Sequence, residues 1–136
     1  GLGSDKNNGV NLIIDKALKN SMLSYQGSSL AARSYVHVSD AARACFESIS
    51  RKYDNKYLNI TGNKRIKIKL LMKLLTKFMK MENSDIKYLN LKVEGHYIHT
   101  PTKFKPRQGS KLILKKYVNF EKGLRELIIE RRKKII

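Results

Sequence analysis

Apolar residues recur at helical spacing in four separate stretches of the chain, and strand-like runs fall between them. Val10, Ile13, Ile14, Ala17 and Leu18 follow an i, i+3, i+4, i+7, i+8 pattern, which predicts an amphipathic helix over 10–20. Leu71, Leu74, Leu75, Phe78 and Met79 repeat that spacing within 69–81. Phe120, Leu124, Leu127 and Ile128 do so near the C-terminus, where Asn119 is the predicted cap and Arg131 to Lys134 suit the far end of the helix dipole. A fourth helix is predicted from Ser39, as N-cap, to about Arg51, with Ala42, Cys45, Phe46 and Ile49 as its packed face. Between the helices, 22–27 and 33–38 read as strands around a polar turn, 56–60 is short and β-branched, and 86–93 alternates apolar with polar. This order gives an α/β or α+β pattern with helical crossovers. Residues 1–9, with three glycines and two asparagines, read as loop, which leaves 10–136 as a single domain or part of one.

The chain has 136 residues, enough to bury a core without staples. Its single cysteine, Cys45, cannot close an internal disulfide and is expected to be packed on the apolar face of its helix. With no apolar run of membrane-spanning length and no signal-peptide core, the expected setting is the cytoplasm. Charge is lopsided: 29 basic residues stand against 11 acidic ones. Most of that excess lies beyond residue 55, which invites a nucleic-acid reading. Lysine, isoleucine and asparagine are all abundant, however, as AT-rich coding alone would produce, and basic residues occur along every predicted element.

Enzyme signatures are sparse. His96 and His99 are three apart in a loop and have no third partner near them, so no metal site is expected. Gly1-Leu2-Gly3 lacks the preceding strand and following helix that a dinucleotide-binding turn needs. Tyr88 and Lys92 have the Tyr-x-x-x-Lys spacing of a dehydrogenase. In a strand, however, that spacing separates them by about 13 Å, whereas a helix would bring them to about 6 Å.

One stretch is more specific. RSYVHVSDAARACFESI is followed by a polar turn and then by NKYLNITGNKRIKIKLLMKLL. With Arg33, Tyr35, His37-Val38, Asp40, Ala41 and Ala42, then Tyr57, Asn59, Ile60 and Gly62, it resembles the C-terminal, substrate-binding part of extended short-chain dehydrogenase/reductases. These are the NAD-dependent sugar-nucleotide epimerases and dehydratases. The later HYIHTPTKFKPRQGSKL segment also resembles some members, although Thr102 stands where an aromatic is common. Asn119-Phe120-Glu121 replaces a familiar Asp-Leu-Gly.

The resemblance implies that Arg33 binds the diphosphate of a UDP- or dTDP-sugar, a task that suits a planar guanidinium fork. It implies that Tyr35, His37, Asp40 and Asn59 are structural motif residues, and that Arg107 and Lys111 border the substrate. NAD is expected in the parent enzyme and not on this segment, because the family's glycine-rich loop and catalytic Tyr and Lys have no counterpart in these residues. The expected fold is therefore the substrate-binding lobe without the Rossmann half, not catalytically competent alone. Its strand at 56–60 should be left unpaired, and an apolar face should be left to self-associate or to meet the NAD-binding half. Two other readings stand beside this one. The first is a small basic nucleic-acid-binding protein; the second is an interaction role for a truncated relative that has lost catalysis.

Overall fold

The asparagine before the first apolar stripe sets where the chain first turns helical. Asn8 Oδ1 accepts the amides of Val10 and Asn11 at 3.2 and 3.4 Å, which caps α1 (Gly9–Asn20). Ser21 ends α1 in the left-handed region at φ 52°, with its amide on the Ala17 carbonyl. The computed structural model describes residues 8–82, 85–90 and 109–135.

After α1 come β1 (Leu23–Tyr25), β2 (Ala32–Ser34), α2 (Val38–Ser48), a single 3₁₀ turn at Arg51–Tyr53, β3 (Leu58–Ile60) and β4 (Arg65–Lys67). Then follow α3 (Ile68–Met79), β5 (Ile86–Tyr88), β6 (Ser110–Leu112) and α4 (Phe120–Ile135). The strands form three two-stranded ladders: β1 with β5 parallel, β2 with β4 antiparallel, and β3 with β6 parallel. Parallel partners cannot be joined by a tight turn, so a helix lies between the members of each parallel pair. The molecule is a small α/β fold.

The core gathers the apolar stripes of α1, α3 and α4 around β1 and β4. Ile14, Leu23, Leu71, Met72 and Leu75 are fully buried there, with Ile66, Leu124 and Ile128 packed among them. Each such side chain contributes about 1.5–3 kcal/mol relative to exposure in water. Two polar contacts set how α4 lies on the others. Arg131 grips both carboxylate oxygens of Asp15 on α1, with Nε 2.7 Å from Oδ1. The Arg125 guanidinium lies 3.8 Å from the centre of the Phe78 ring on α3. A second, smaller cluster holds Ala44, Leu112 and Leu114, with Tyr53, Leu58, Ile60 and Tyr117 around it.

Several sequence expectations are corrected. The packed face assigned to the second helix points outward: Phe46 is 78% and Ile49 76% exposed, and Cys45 is exposed too. The inward side of α2 is instead Asp40 and Ala44, because a helix packed closely over the β3–β6 ladder has room there only for small side chains. The cap of α2 is His37, not Ser39. β1 and β2 do not pair with each other, and the 33–38 strand stops at Ser34 because residue 38 already begins α2. β3 is not left unpaired, since β6 lies beside it. β4 and β6 were not foreseen; each is only three residues long. Residues 91–93 of the predicted fourth strand, and with them Lys92, lie outside the described residues, as do His96 and His99.

Gly62 locks two of these pieces together. A Cβ there would stand 1.9 Å from the Tyr35 carbonyl oxygen, so the chain leaving β3 can pass the β2–α2 connection only without a side chain. Gly62→Ala is expected to cost about 2 kcal/mol or more through the forced backbone shift. Gly9→Ala, with nothing within 4 Å of the added atom, should leave stability unchanged or slightly raised. Urea unfolding of the two variants checks this, and equal midpoints would contradict it.

Candidate functional site

β2 is the strand from which the conspicuous side chains project. Its antiparallel register sets Arg33 opposite Ile66 and Ser34 opposite Arg65. Tyr35 follows directly on the last residue of β2. Arg33 Nη1 donates to the Ala32 carbonyl at 3.0 Å, which turns the guanidinium back along its own strand. The Tyr35 ring stacks on Phe120, the first residue of α4, with centroids 5.6 Å apart. Burial pushes the Tyr35 phenol up to about 12; nearby Tyr25 adds to the shift and the Arg33 charge opposes it. Tyr35 therefore stays a neutral hydroxyl throughout the physiological range, able to donate a hydrogen bond.

His37 and Asp40 form the joint that follows. His37 Nδ1 accepts the Ser39 amide at 3.2 Å, so the neutral ring carries its proton on Nε2. That nitrogen lies 3.6 Å from Glu126 Oε2 on α4. A Cβ on Gly123 would come within 2.9 Å of His37 Cδ2, so the close approach of α4 depends on that glycine. Asp40 is 1% exposed. Its two oxygens accept the Val118 amide at 3.2 and 3.0 Å, and Oδ1 also receives Arg43. Arg43 Nη2 bonds the Lys116 carbonyl at 3.1 Å as well. Asp40 thus fastens α2 to the segment that leads into α4.

Beside this joint lies a cleft of about 750 Å³. Its floor includes Ile66, Leu74 and Leu124, and its walls include Tyr35, His37 and Asn119. Glu121, Glu126 and Glu130 of α4 also line it, against the single lysine Lys64. That balance is unsuited to a diphosphate, and Arg33 does not line this cleft. Asn59 and Lys111 are register partners in the parallel β3–β6 ladder. Lys111 therefore sits in a strand and not in the loop expected for it, and on a different ladder from Arg33. Arg107 lies outside the described residues.

NAD does not fit the described part of the chain. The pyrophosphate of a dinucleotide needs free amides at a glycine-rich turn from strand to helix. β4 runs straight into α3, but the amides of Ile68 and Lys69 are taken by the carbonyls of Ala31 and Ser29. The start of α2 is capped by His37. Among the described residues no group of three or more His, Cys, Asp or Glu could hold a metal ion, and no helix is long and apolar enough to cross a membrane. The structure adds Arg43 and Gly123 to the sequence reading as supports of the joint, and shows why the motif's Gly62 must lack a side chain. Only the Asp40/Arg43 spacing of three on a helix signalled such a role in advance.

No family model matches the chain, and no curated protein matches it either. Solved structures do. A dTDP-glucose 4,6-dehydratase from Bacillus anthracis, solved in complex with NAD, superposes with a TM-score of 0.70 at 21% identity, covering 93% of this chain and 39% of that one. A GDP-L-fucose synthetase from Naegleria fowleri gives 0.66 at 16% identity, covering 93% and 39%. A UDP-glucose 4-epimerase from Thermotoga maritima, solved with UDP-glucose, gives 0.59 at 19% identity, covering 97% and 41%. The fold is thus similar to part of the sugar-nucleotide epimerase and dehydratase structures, and the chain spans about two fifths of their length.

The buried phenol has a pH signature. Tyr35 holds its proton more tightly when folded, near 12, than when unfolded, near 10. The stability it contributes is present below about pH 10 and is lost as pH rises towards 12. Phenolate absorbance of the folded chain should show one of its seven tyrosines ionising near pH 12, and Tyr35→Phe should remove that step. A titration of all seven near pH 10 by folded protein would contradict this placement.

Proposed function

We propose that this chain is the nucleotide-sugar-binding lobe of an NAD-dependent epimerase or dehydratase, taking a UDP- or dTDP-sugar. In this reading it corresponds to the C-terminal part of the enzyme and works with an NAD-binding Rossmann half that performs the hydride transfer. The observation that supports it best is the TM-score of 0.70 over 93% of the chain, together with the RSYVHVSD segment lying on β2 and the start of α2.

Each residue then has a defined task. Arg33 grips the diphosphate with charge-assisted bonds. Tyr35, stacked on the Phe120 ring, fixes the end of the strand that carries Arg33 and touches no diphosphate. Arg107 and Lys111 add cationic contacts at the border of the substrate. His37, Asp40 and Asn59 hold the strand ends and the α2 joint in place and touch no substrate. The acidic cleft beside α4 is not the diphosphate site; the anion lies on the Arg33 side. The outward stripe of α2 is the seam against the NAD-binding half.

Calorimetric titration with UDP-glucose and dTDP-glucose tests the site. At least one should bind saturably, and Arg33→Ala should weaken it by tenfold or more, since a hydrogen bond to a charged group contributes about 1.5–3 kcal/mol. Arg33→Lys should recover only part of the loss, because an ammonium lacks the fork. Equal affinity for wild type and Arg33→Ala, or no saturable binding of either sugar, would overturn the assignment.

A further inference from the structure

The sequence scatters its cations, but the fold collects a set of them on one face. Between residues 64 and 80 there are seven basic residues and no acidic one. On α3, Lys69, Lys73 and Lys77 are exposed, as is Lys80 at its C-cap, while Leu71, Met72, Leu75 and Met79 face the core. At 100° per residue the three helical lysines fall within about 80° of one another, and Lys80 follows at the helix end. They step along it by about 6 Å and span about 16 Å. β4 leads into α3 with no residue between them, and its exposed Arg65 and Lys67 extend the row.

Among the described residues no ion pair neutralises this row. The pairs His37–Glu126, Arg43–Asp40, Lys122–Glu126 and Arg131–Asp15 all lie away from it. Like charges four apart on a helix repel one another, so the fold tolerates a repulsion that a bound polyanion would relieve. Three carboxylates of α4 line the cleft instead of meeting these lysines.

We infer that the exposed ridge of β4 and α3 is a docking surface for the phosphodiester backbone of a nucleic acid. Its length matches a run of about five phosphates at 3.4 Å per residue of one strand, far more than one diphosphate needs. A lipid surface suits it less, because the apolar side of α3 is the protein core: Leu71 and Leu75 are fully buried and cannot insert. Phe78, half-buried and covered by Arg125, is the aromatic on α3, so no ring is presented for base stacking. Recognition is therefore of phosphates and independent of sequence. The inference does not rest on the nucleotide-sugar reading, whose Arg33 and Lys111 lie on β2 and β6.

The test is fluorescence anisotropy with a labelled 20-mer, single-stranded and duplex, between 50 and 200 mM salt. Wild type should bind with a steep logarithmic salt dependence. Lys69→Glu/Lys73→Glu/Lys77→Glu should weaken binding at least tenfold at low salt. It should also reduce the slope by about 2–3, at 0.7–0.9 per phosphate contact. Lys16→Glu/Lys115→Glu/Lys133→Glu, three exposed lysines elsewhere, changes net charge equally and should keep the slope. The glutamine version of the ridge triple, which avoids acidic repulsion, should behave like the glutamate version, with circular dichroism confirming that each folds. The inference is overturned if both triples lose binding equally, if wild type does not bind either oligonucleotide, or if anionic vesicles bind and the oligonucleotides do not. UDP-glucose titration of the ridge triple should match wild type, which separates this outcome from any failure of the sugar site.

Discussion

The carboxylate of Asp40 is the contact on which the arrangement of the site depends. It is almost completely removed from water and is satisfied by the Val118 amide and by Arg43. Arg43 is half exposed, so water screens its share of the interaction. The weight falls on the amide: without an acceptor, a buried N–H costs about 1–3 kcal/mol. Through that bond one side chain at the start of α2 determines where the chain enters α4, 78 residues later. Phe120 then stacks on Tyr35, Glu126 reaches His37, and the strand that displays Arg33 is braced from both ends.

Because Asp40 and Ala44 form the inner side of α2, the helix turns its larger apolar residues away from the body. Val38, Phe46 and Ile49 stay exposed, and Tyr57 and Ile113, flanking the β3–β6 ladder, are exposed as well. Burying a side chain of this size is worth about 1.5–3 kcal/mol, so the outward stripe of α2 is a half-made contact. The proposed Rossmann half would complete it, in keeping with a chain that spans about two fifths of the enzymes it superposes on.

Much of the fold could be read before any coordinates. The spacing of Ile13, Ile14 and Ala17, and of Leu71, Leu74 and Leu75, found α1 and α3, because one face of each meets a core large enough to hide it. Asn119 does cap α4, through its Oδ1 and the Glu121 and Lys122 amides. The same reasoning misjudged α2: periodicity shows that a helix has an apolar side, but not that the side is covered. β4 and β6 escaped notice because a three-residue strand has no period to detect and exists only through its partner. The link between Asp40 and Val118, and the close pass of Gly62 over Tyr35, join residues distant in sequence and left no local trace. Arg33 was marked by a family pattern and not by spacing, and the lysine ridge runs on from α3 into β4, a strand too short to be read from sequence.

Sedimentation velocity of the chain over a range of concentrations, alongside Phe46→Glu/Ile49→Glu, bears most directly on the half-made face. The account predicts reversible self-association of the unmodified chain, and a monomer for the double variant with no loss of thermal stability. A stable monomer at every concentration, or association that the two substitutions leave untouched, would contradict it.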